Sequence, residues 1–295
     1  MSILVDENTK VIFQGITGKF GTYHSRLMME YGTNIVAGVT PGRGGMEVNG
    51  VPVFDSFQEA LAEHPANAAI TMMPAPFVKD AVFEAIDAGI KLIVCLVEGV
   101  PVHDMMIIRK KLAGTGCVML GPNSPGIVSA GKALLGFMPG SIYRPGPVGI
   151  VSRSGTFSYQ VATALSRAGI GQTTCVGIGG DPITGISFVD ILSRFEADPD
   201  TEAIVLVGEI GRTSEEEAAE YIGRAVKKPV AAIILGETAP PGKQMGHAGA
   251  IITAGRGTYE SKYNAFKSVG VPVARTAREV AVLMSELLSK RAESQ

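Results

Sequence analysis

Lys10-Val11-Ile12-Phe13-Gln14-Gly15-Ile16-Thr17-Gly18-Lys19-Phe20-Gly21 starts as a strand and ends as the opening of a helix. Its first five residues form a short β-rich run. Three glycines at GxxGxxG spacing follow, and then a helical pattern over 22–31. A strand that turns this tightly into a helix is the first unit of a parallel α/β sheet. The alternation continues with strand patterns at 34–39, 51–54, 68–73, 91–96 and 117–120, and helical patterns at 77–88 and 102–112. These strands are near-continuous apolar runs, as expected when helices cover both faces of the sheet. Residues 1–121 therefore predict a doubly wound α/β domain.

The texture changes over 122–147. Prolines stand at 122, 125, 139, 145 and 147, glycines lie between them, and no helical period survives. This stretch is expected to connect two domains. The pattern then restarts over 148–295. Strands are expected at 148–151, 173–177, 203–208, 230–235 and 271–274, and helices at 155–168, 187–195, 214–226, 259–269 and 277–290. A second parallel α/β domain follows from it. Ser214-Glu215-Glu216-Glu217 places carboxylates in a first helical turn, where the helix dipole favours them.

Composition narrows the function. Among 295 residues, 26 basic and 28 acidic side chains nearly cancel, to a net charge of −2. Binding to nucleic acid through a basic surface is not expected. No apolar run reaches the ~18 residues of a membrane span, and the N-terminal residues lack a signal-peptide pattern. Cys95, Cys117 and Cys175 lie in apolar runs with no CxxC pairing, so neither a metal site nor a disulfide framework is expected. A reducing cytoplasmic setting fits. The 37 glycines stand out against a usual ~7%.

Those glycines gather at candidate sites. The Gly15/Gly18/Gly21 turn opens a helix, where backbone N–H groups can meet a phosphate. An NAD-binding fold places a carboxylate near the end of its second strand. Here Thr40-Pro41-Gly42-Arg43 follows instead, and no acid lies between Tyr31 and Met46. Arg43 suits an extra phosphate, as in NADP or coenzyme A. A second anion cradle is expected at Ser152-Arg153-Ser154-Gly155-Thr156, again between a strand and a helix; ordinary N-capping would account for the same serines. His247 sits in Gly246-His247-Ala248-Gly249-Ala250, the one small-residue setting among four histidines. Glu209 ends a buried strand pattern and can hold a proton on one imidazole nitrogen, leaving the other to attack. Gly179-Gly180-Asp181-Pro182 is expected to line the same crevice.

Over essentially the whole chain the sequence resembles the succinate–CoA ligase (succinyl-CoA synthetase) alpha subunits. The resemblance rests on the His247 and Ser152–Thr156 blocks, Gly177-Ile178-Gly179-Gly180-Asp181-Pro182 and Gly208-Glu209-Ile210-Gly211. It implies a Rossmann-like CoA-binding domain followed by a flavodoxin-like domain. It implies an acid–CoA ligase that consumes ATP or GTP and carries phosphate on His247. Gly15, Thr17, Gly18, Lys19, Phe20 and Arg43 would border CoA, Leu96, Val97 and Glu98 its adenosine end, and Tyr159 the acid. Nucleotide and Mg²⁺ would belong to a separate ATP-grasp beta subunit, in a heterodimer or heterotetramer, in keeping with the absence of a GxxxxGK[ST] pattern.

Arg43 stands where the family usually has lysine, Ser124 where cysteine is frequent, and Arg212 where a second glycine is usual. Gln160 replaces a common glutamate, and Pro241 and Gln244 replace basic residues before His247. These departures bear on which carboxylic acid is used, succinate being the first expectation and malate or citrate the alternatives. A non-catalytic CoA-sensing module and an NADP oxidoreductase are the competing readings. An intact second domain with Glu209 and His247 argues against the former, and the lack of a nicotinamide-side catalytic set against the latter.

Overall fold

Strand β1 (Lys10–Gln14) leads into helix α1 (Lys19–Tyr31), which ends at Gly32, whose φ of +108° lets its N–H close on the Met28 and Met29 carbonyls. There follow β2 (Asn34–Val39), β3 (Glu47–Val48), β4 (Val51–Phe54), α2 (Phe57–Glu63) and β5 (Ala68–Thr71). Next come α3 (Val78–Asp87), β6 (Leu92–Cys95), α4 (Val102–Leu112) and β7 (Val118–Leu120). The computed structural model describes residues 2–240, 242–252 and 256–293. Hydrogen bonding orders this first sheet β3-β4-β2-β1-β5-β6-β7, parallel but for the β3–β4 hairpin. Without β3, the chain order across the sheet is that of the dinucleotide-binding fold, reversing between β1 and β5.

The second sheet draws on β8 (Gly126–Ser129), β9 (Ala133–Gly136), β10 (Pro145–Ser152), β11 (Gln172–Gly177), β12 (Ala203–Glu209), β13 (Val230–Leu235) and β14 (Val273–Ala274). Its helices are α5 (Gly155–Arg167), α6 (Phe188–Ala197), α7 (Ser214–Ala225), α8 (Tyr259–Ser268) and α9 (Ala277–Glu293). The order is β14-β13-β12-β10-β11-β8-β9. Its five parallel strands follow the flavodoxin order and reverse between β10 and β12. Helix α5 packs with α9, and α7 packs between α6 and α8. Ligand crevices in such sheets open beyond the strand ends where the order reverses. That places the Gly15 turn at one crevice, and Ser152–Thr156 with Glu209 at the other.

The segment 122–147, expected as a connection, holds structure of its own. Strands β8 and β9 form an antiparallel hairpin, and β8 pairs antiparallel with β11. Gly126 and Gly136 face each other across it, and a Cβ on either would strike the opposite backbone. The glycine-rich texture therefore reflects close strand approach. The hairpin also ties to the first domain: Thr33 Oγ1 donates to the Leu134 carbonyl (2.6 Å) and accepts from its N–H (3.0 Å). One apolar core runs from Phe13 of β1 through Leu135 of the hairpin to Val151 and Leu206. A second core packs α3 and α4 on β5 and β6 through Val82, Ile108, Ala69 and Ile93. All three cysteines are free thiols. Among the described residues, no helix is long and apolar enough to cross a membrane.

Candidate functional site

The first crevice is built by close backbone approach. Gly15 has φ +87°, and a Cβ there would enter the Met72 carbonyl beyond β5. At Gly21 a Cβ would strike the Gly15 carbonyl, so the turn closes only with glycine at both positions. Gly18 caps α1 without a side chain, which leaves first-turn N–H groups turned outward. A cavity of about 750 Å³ lies over this turn, lined by Gly15, Thr17, Gly18, Thr40, Met72 and Phe77 among others. Thr17 and Thr40 meet through their hydroxyls at 3.1 Å. No acid lies between β2 and β3, but Asp80 and Glu84 of α3 line the cavity. Lys19, Phe20 and Arg43 are exposed. The Arg43 loop is shaped by Asp55, whose Oδ1 accepts from the Arg43 and Gly44 amides at 2.9 and 2.8 Å.

The second crevice holds the histidine. Glu209 is the last residue of β12 and is buried, and its two oxygens lie 3.0 and 2.9 Å from His247 Nδ1. A carboxylate only accepts, so Nδ1 carries the proton and Nε2 keeps a lone pair. The hydrogen bond to Glu209 raises the proton affinity of His247 above that of free histidine, against burial and the charge of Arg153. The ring is held from behind, because a Cβ on Gly180 would occupy its place.

His247 stands between two cavities. One, of about 260 Å³, is lined by Leu96, Glu98, Asn123, Ser124, Pro125, Phe137, Gly155, Thr156 and Tyr159. The other, of about 330 Å³, is lined by Ser154, Glu209, Ile210, Gly236, Met245 and Gly246. Helix α5 thus starts against His247, where its positive dipole end favours an anion. Burial raises the carboxyl of Asp181, which accepts from Asn123 Nδ2 at 3.0 Å.

The structure thus brings His247, Glu209, Gly155, Thr156 and Tyr159 together. Leu96 and Glu98 stand with them rather than in the glycine-turn cavity, with half-buried Val97 between them. The cradle differs from expectation in its side chains. Ser152 is buried and donates to the Ser154 carbonyl (2.7 Å), and Ser154 Oγ accepts from the Phe157 amide (3.3 Å) as the cap of α5. The Arg153 guanidinium turns inward, away from the cradle, toward Glu209 and Glu215. What faces outward is the helix start itself.

Ser124 is a structural hydroxyl, donating to the Gly177 carbonyl (2.7 Å) and accepting from the Gly126 amide (2.9 Å). Arg212 takes a left-handed φ of +55°, which explains why glycine would suit that position. Gln160 and Gln244 are exposed, and Pro241 lies outside the described residues. Sequence reasoning passed over Asn123, Pro125, Phe137, Glu215 and Lys262 as members of the site. Glu215 was legible only as a helix-start carboxylate, and Pro125 and Phe137 only as parts of a connection.

Residues 6–99 match the family model of a CoA binding domain, and residues 151–271 that of CoA-ligase. The chain is 57% identical over 288 residues to an Archaeoglobus fulgidus succinate–CoA ligase [ADP-forming] subunit alpha 2, covering 98% of this chain and 100% of that one. It is 51% identical to the Aquifex aeolicus succinate–CoA ligase [ADP-forming] subunit alpha, covering 98% and 95%. Among solved structures, an ATP citrate lyase variant from Methanosaeta concilii in complex with (3S)-citryl-CoA superposes with a TM-score of 0.90 at 25% identity. The match covers 98% of this chain and 52% of that one, so this chain spans about half of the larger enzyme.

Proposed function

The chain belongs to the family of succinate–CoA ligase alpha subunits, and from that premise we propose that it joins succinate to CoA through a phosphohistidine at His247. The observation that carries the proposal is the His247–Glu209 pair at 2.9 Å, set against the start of α5 where the second sheet reverses.

With Nδ1 protonated toward Glu209, the Nε2 lone pair attacks the terminal phosphorus of a nucleoside triphosphate, ATP or GTP; the named relatives are ADP-forming. The Nε2–P bond forms as the bond to the leaving diphosphate breaks. The carboxylate of the acid then takes the phosphoryl group, giving an acyl phosphate and free His247. The CoA sulfur attacks the acyl carbon, phosphate leaves, and the thiol proton passes to solvent or to phosphate. The N–H groups at Gly155 and Thr156 suit the phosphoryl dianion. Gly15, Thr17, Gly18, Lys19, Phe20 and Arg43 would hold CoA, and the 750 Å³ cavity over a helix start free of side-chain caps fits a phosphate-bearing ligand. Leu96, Val97 and Glu98, expected at the adenosine end of CoA, would border CoA nearer His247, since Leu96 and Glu98 line the cavity beside it, and Tyr159 would border the acid. The nucleotide and its Mg²⁺ would belong to an ATP-grasp beta subunit.

Calorimetry on the parent and a His247→Asn variant tests this reading. Both should bind CoA alike and more tightly than NADH, while only the parent, with its partner, makes thioester. Tighter NADH binding, or turnover by the variant, overturns it.

A further inference from the structure

Behind the His247–Glu209 pair lie three charged side chains with 0% exposure: Arg153, Glu215 and Lys262. They come from the turn before α5, the first turn of α7 and the start of α8. Lys262 Nζ donates to Glu215 Oε2 (2.6 Å), Glu216 Oε2 (2.8 Å) and the Arg212 carbonyl (3.0 Å). Glu215 Oε1 accepts from Arg153 Nη1 (2.8 Å) and from the Glu209 amide (3.1 Å). Arg153 Nη1 also donates to the carbonyls of Glu209 (3.3 Å) and Gly211 (3.1 Å). Its Nη2 meets Glu209 Oε1 at 3.1 Å and the Gly249 carbonyl at 3.2 Å.

Stability alone does not account for this cluster. Removing a charge from water costs several kcal/mol, and apolar replacements of buried ion pairs are often as stable. The geometry serves the histidine. One planar fork holds both the carboxylate that orients His247 and, at Gly249, the loop that carries it, which a single ammonium cannot do with the same geometry. Gly249 has no Cβ to keep the fork away; one there would stand 3.1 Å from Nη2. Burial resists ionisation of Glu215, but Arg153 and Lys262 prevail and hold its carboxyl at about 2. Arg153 therefore has a fixed anion behind it throughout the working pH range.

We propose that Arg153, braced by Glu215 and Lys262, is a positioning residue for phosphoryl transfer at His247. It aims the Glu209 carboxylate at Nδ1, pins the loop at Gly249, and limits how firmly that carboxylate holds a proton on the ring. The inference rests on His247 as the phosphoryl carrier. The groups around the imidazole are Glu209 from β12, Arg153 from the β10–α5 turn, Glu98 from beyond β6, Asp181 and Arg212 from the loops after β11 and β12, and Tyr159 from α5. Glu209 and Glu98 favour the imidazolium, whereas Arg153 opposes it. Nε2 attacks only from the neutral ring, so removing the Arg153 charge moves the acid limb of phosphorylation to higher pH.

The test is single-turnover phosphorylation of the complex with its partner subunit, using ATP and Mg²⁺, followed across pH with the phosphate mapped to its residue. Arg153→Gln is expected to slow the plateau rate about ten-fold or more and to raise the acid limb by about half a unit or more, with CoA affinity within about two-fold of the parent. Arg153→Lys keeps the charge and loses the fork, so its limb returns to the parent position while its rate stays about ten-fold down. A Gln variant with an unmoved limb, whatever its rate, overturns the proposal, because lost packing alone predicts that result. Lys-variant turnover at the parent rate also overturns it, and this arm stands even if Arg153→Gln does not fold. Absence of phosphate on His247 in the parent removes the underlying reading itself, an outcome distinct from a phosphorylated parent with unaffected variants.

Discussion

Both oxygens of Glu209 face the same imidazole nitrogen, and one of them also meets Arg153 Nη2. The pair therefore works as a balance, with Glu209 raising the ring's proton affinity and Arg153 lowering it. Because His247 binds its proton more strongly than free histidine, phosphorylation should fall off as pH drops through a value above the ordinary one. Glu209→Gln removes the anion that causes the shift. Its acid limb should move to lower pH, opposite to Arg153→Gln, and its plateau rate should fall about ten-fold or more as the tautomer is lost. A rate series across pH checks both, and an unmoved limb counts against the balance. The pairing of His247 with Glu209 was legible in the sequence, since small residues around one histidine and an acid ending a buried strand are visible patterns. The sequence did not show that Arg153 points inward. Its neighbours Ser152 and Ser154 suggest a cradle, and only the fold brings Glu215 and Lys262 to the other side.

Both crevices open at turns between a parallel strand and its helix. The long apolar strands were legible because burial on both faces leaves continuous runs, and the helices because their apolar positions recur at helical spacing. Helix α2 was missed. It has seven residues, too few to display a period, although Ser56 accepting from the Glu59 amide (3.2 Å) is an ordinary start signal. The β8–β9 hairpin was missed because glycine and proline read as punctuation, whereas here they permit two backbones to touch. Gly136 has φ +141°, and a Cβ would enter the Pro125 carbonyl. Gly136→Ala should therefore cost roughly 2–4 kcal/mol from strain and overpacking combined. Thermal unfolding should show a lowering of several degrees, and an unchanged midpoint would mean that the hairpin relaxes freely. Since the hairpin supplies Pro125 and Phe137 to the cavity beside His247, the same variant should lose ligase activity before it loses CoA binding.

Taken whole, the molecule sets two topological switch points on one continuous core, a ligand-sized cavity at the first and a histidine held by Glu209 at the second. Among the described residues, no cluster of three His, Cys, Asp or Glu side chains is placed to hold a metal ion, and no P-loop pattern occurs in the sequence. The proposed beta subunit would then present the nucleotide. The chain by itself is expected to give negligible nucleotide-driven thioester synthesis, restored by adding a beta subunit; a steady-state assay with and without that subunit decides it. In the proposed reaction His247 carries phosphate between nucleotide and acid. The most direct measurement of it is residue-resolved mass spectrometry of the complex after incubation with succinyl-CoA and inorganic phosphate. One phosphate is expected, stable to base and labile to acid, on His247 and absent from the His247→Asn protein. Phosphate on Ser152 or Ser154, or thioester turnover with no phosphoprotein at all, would contradict it.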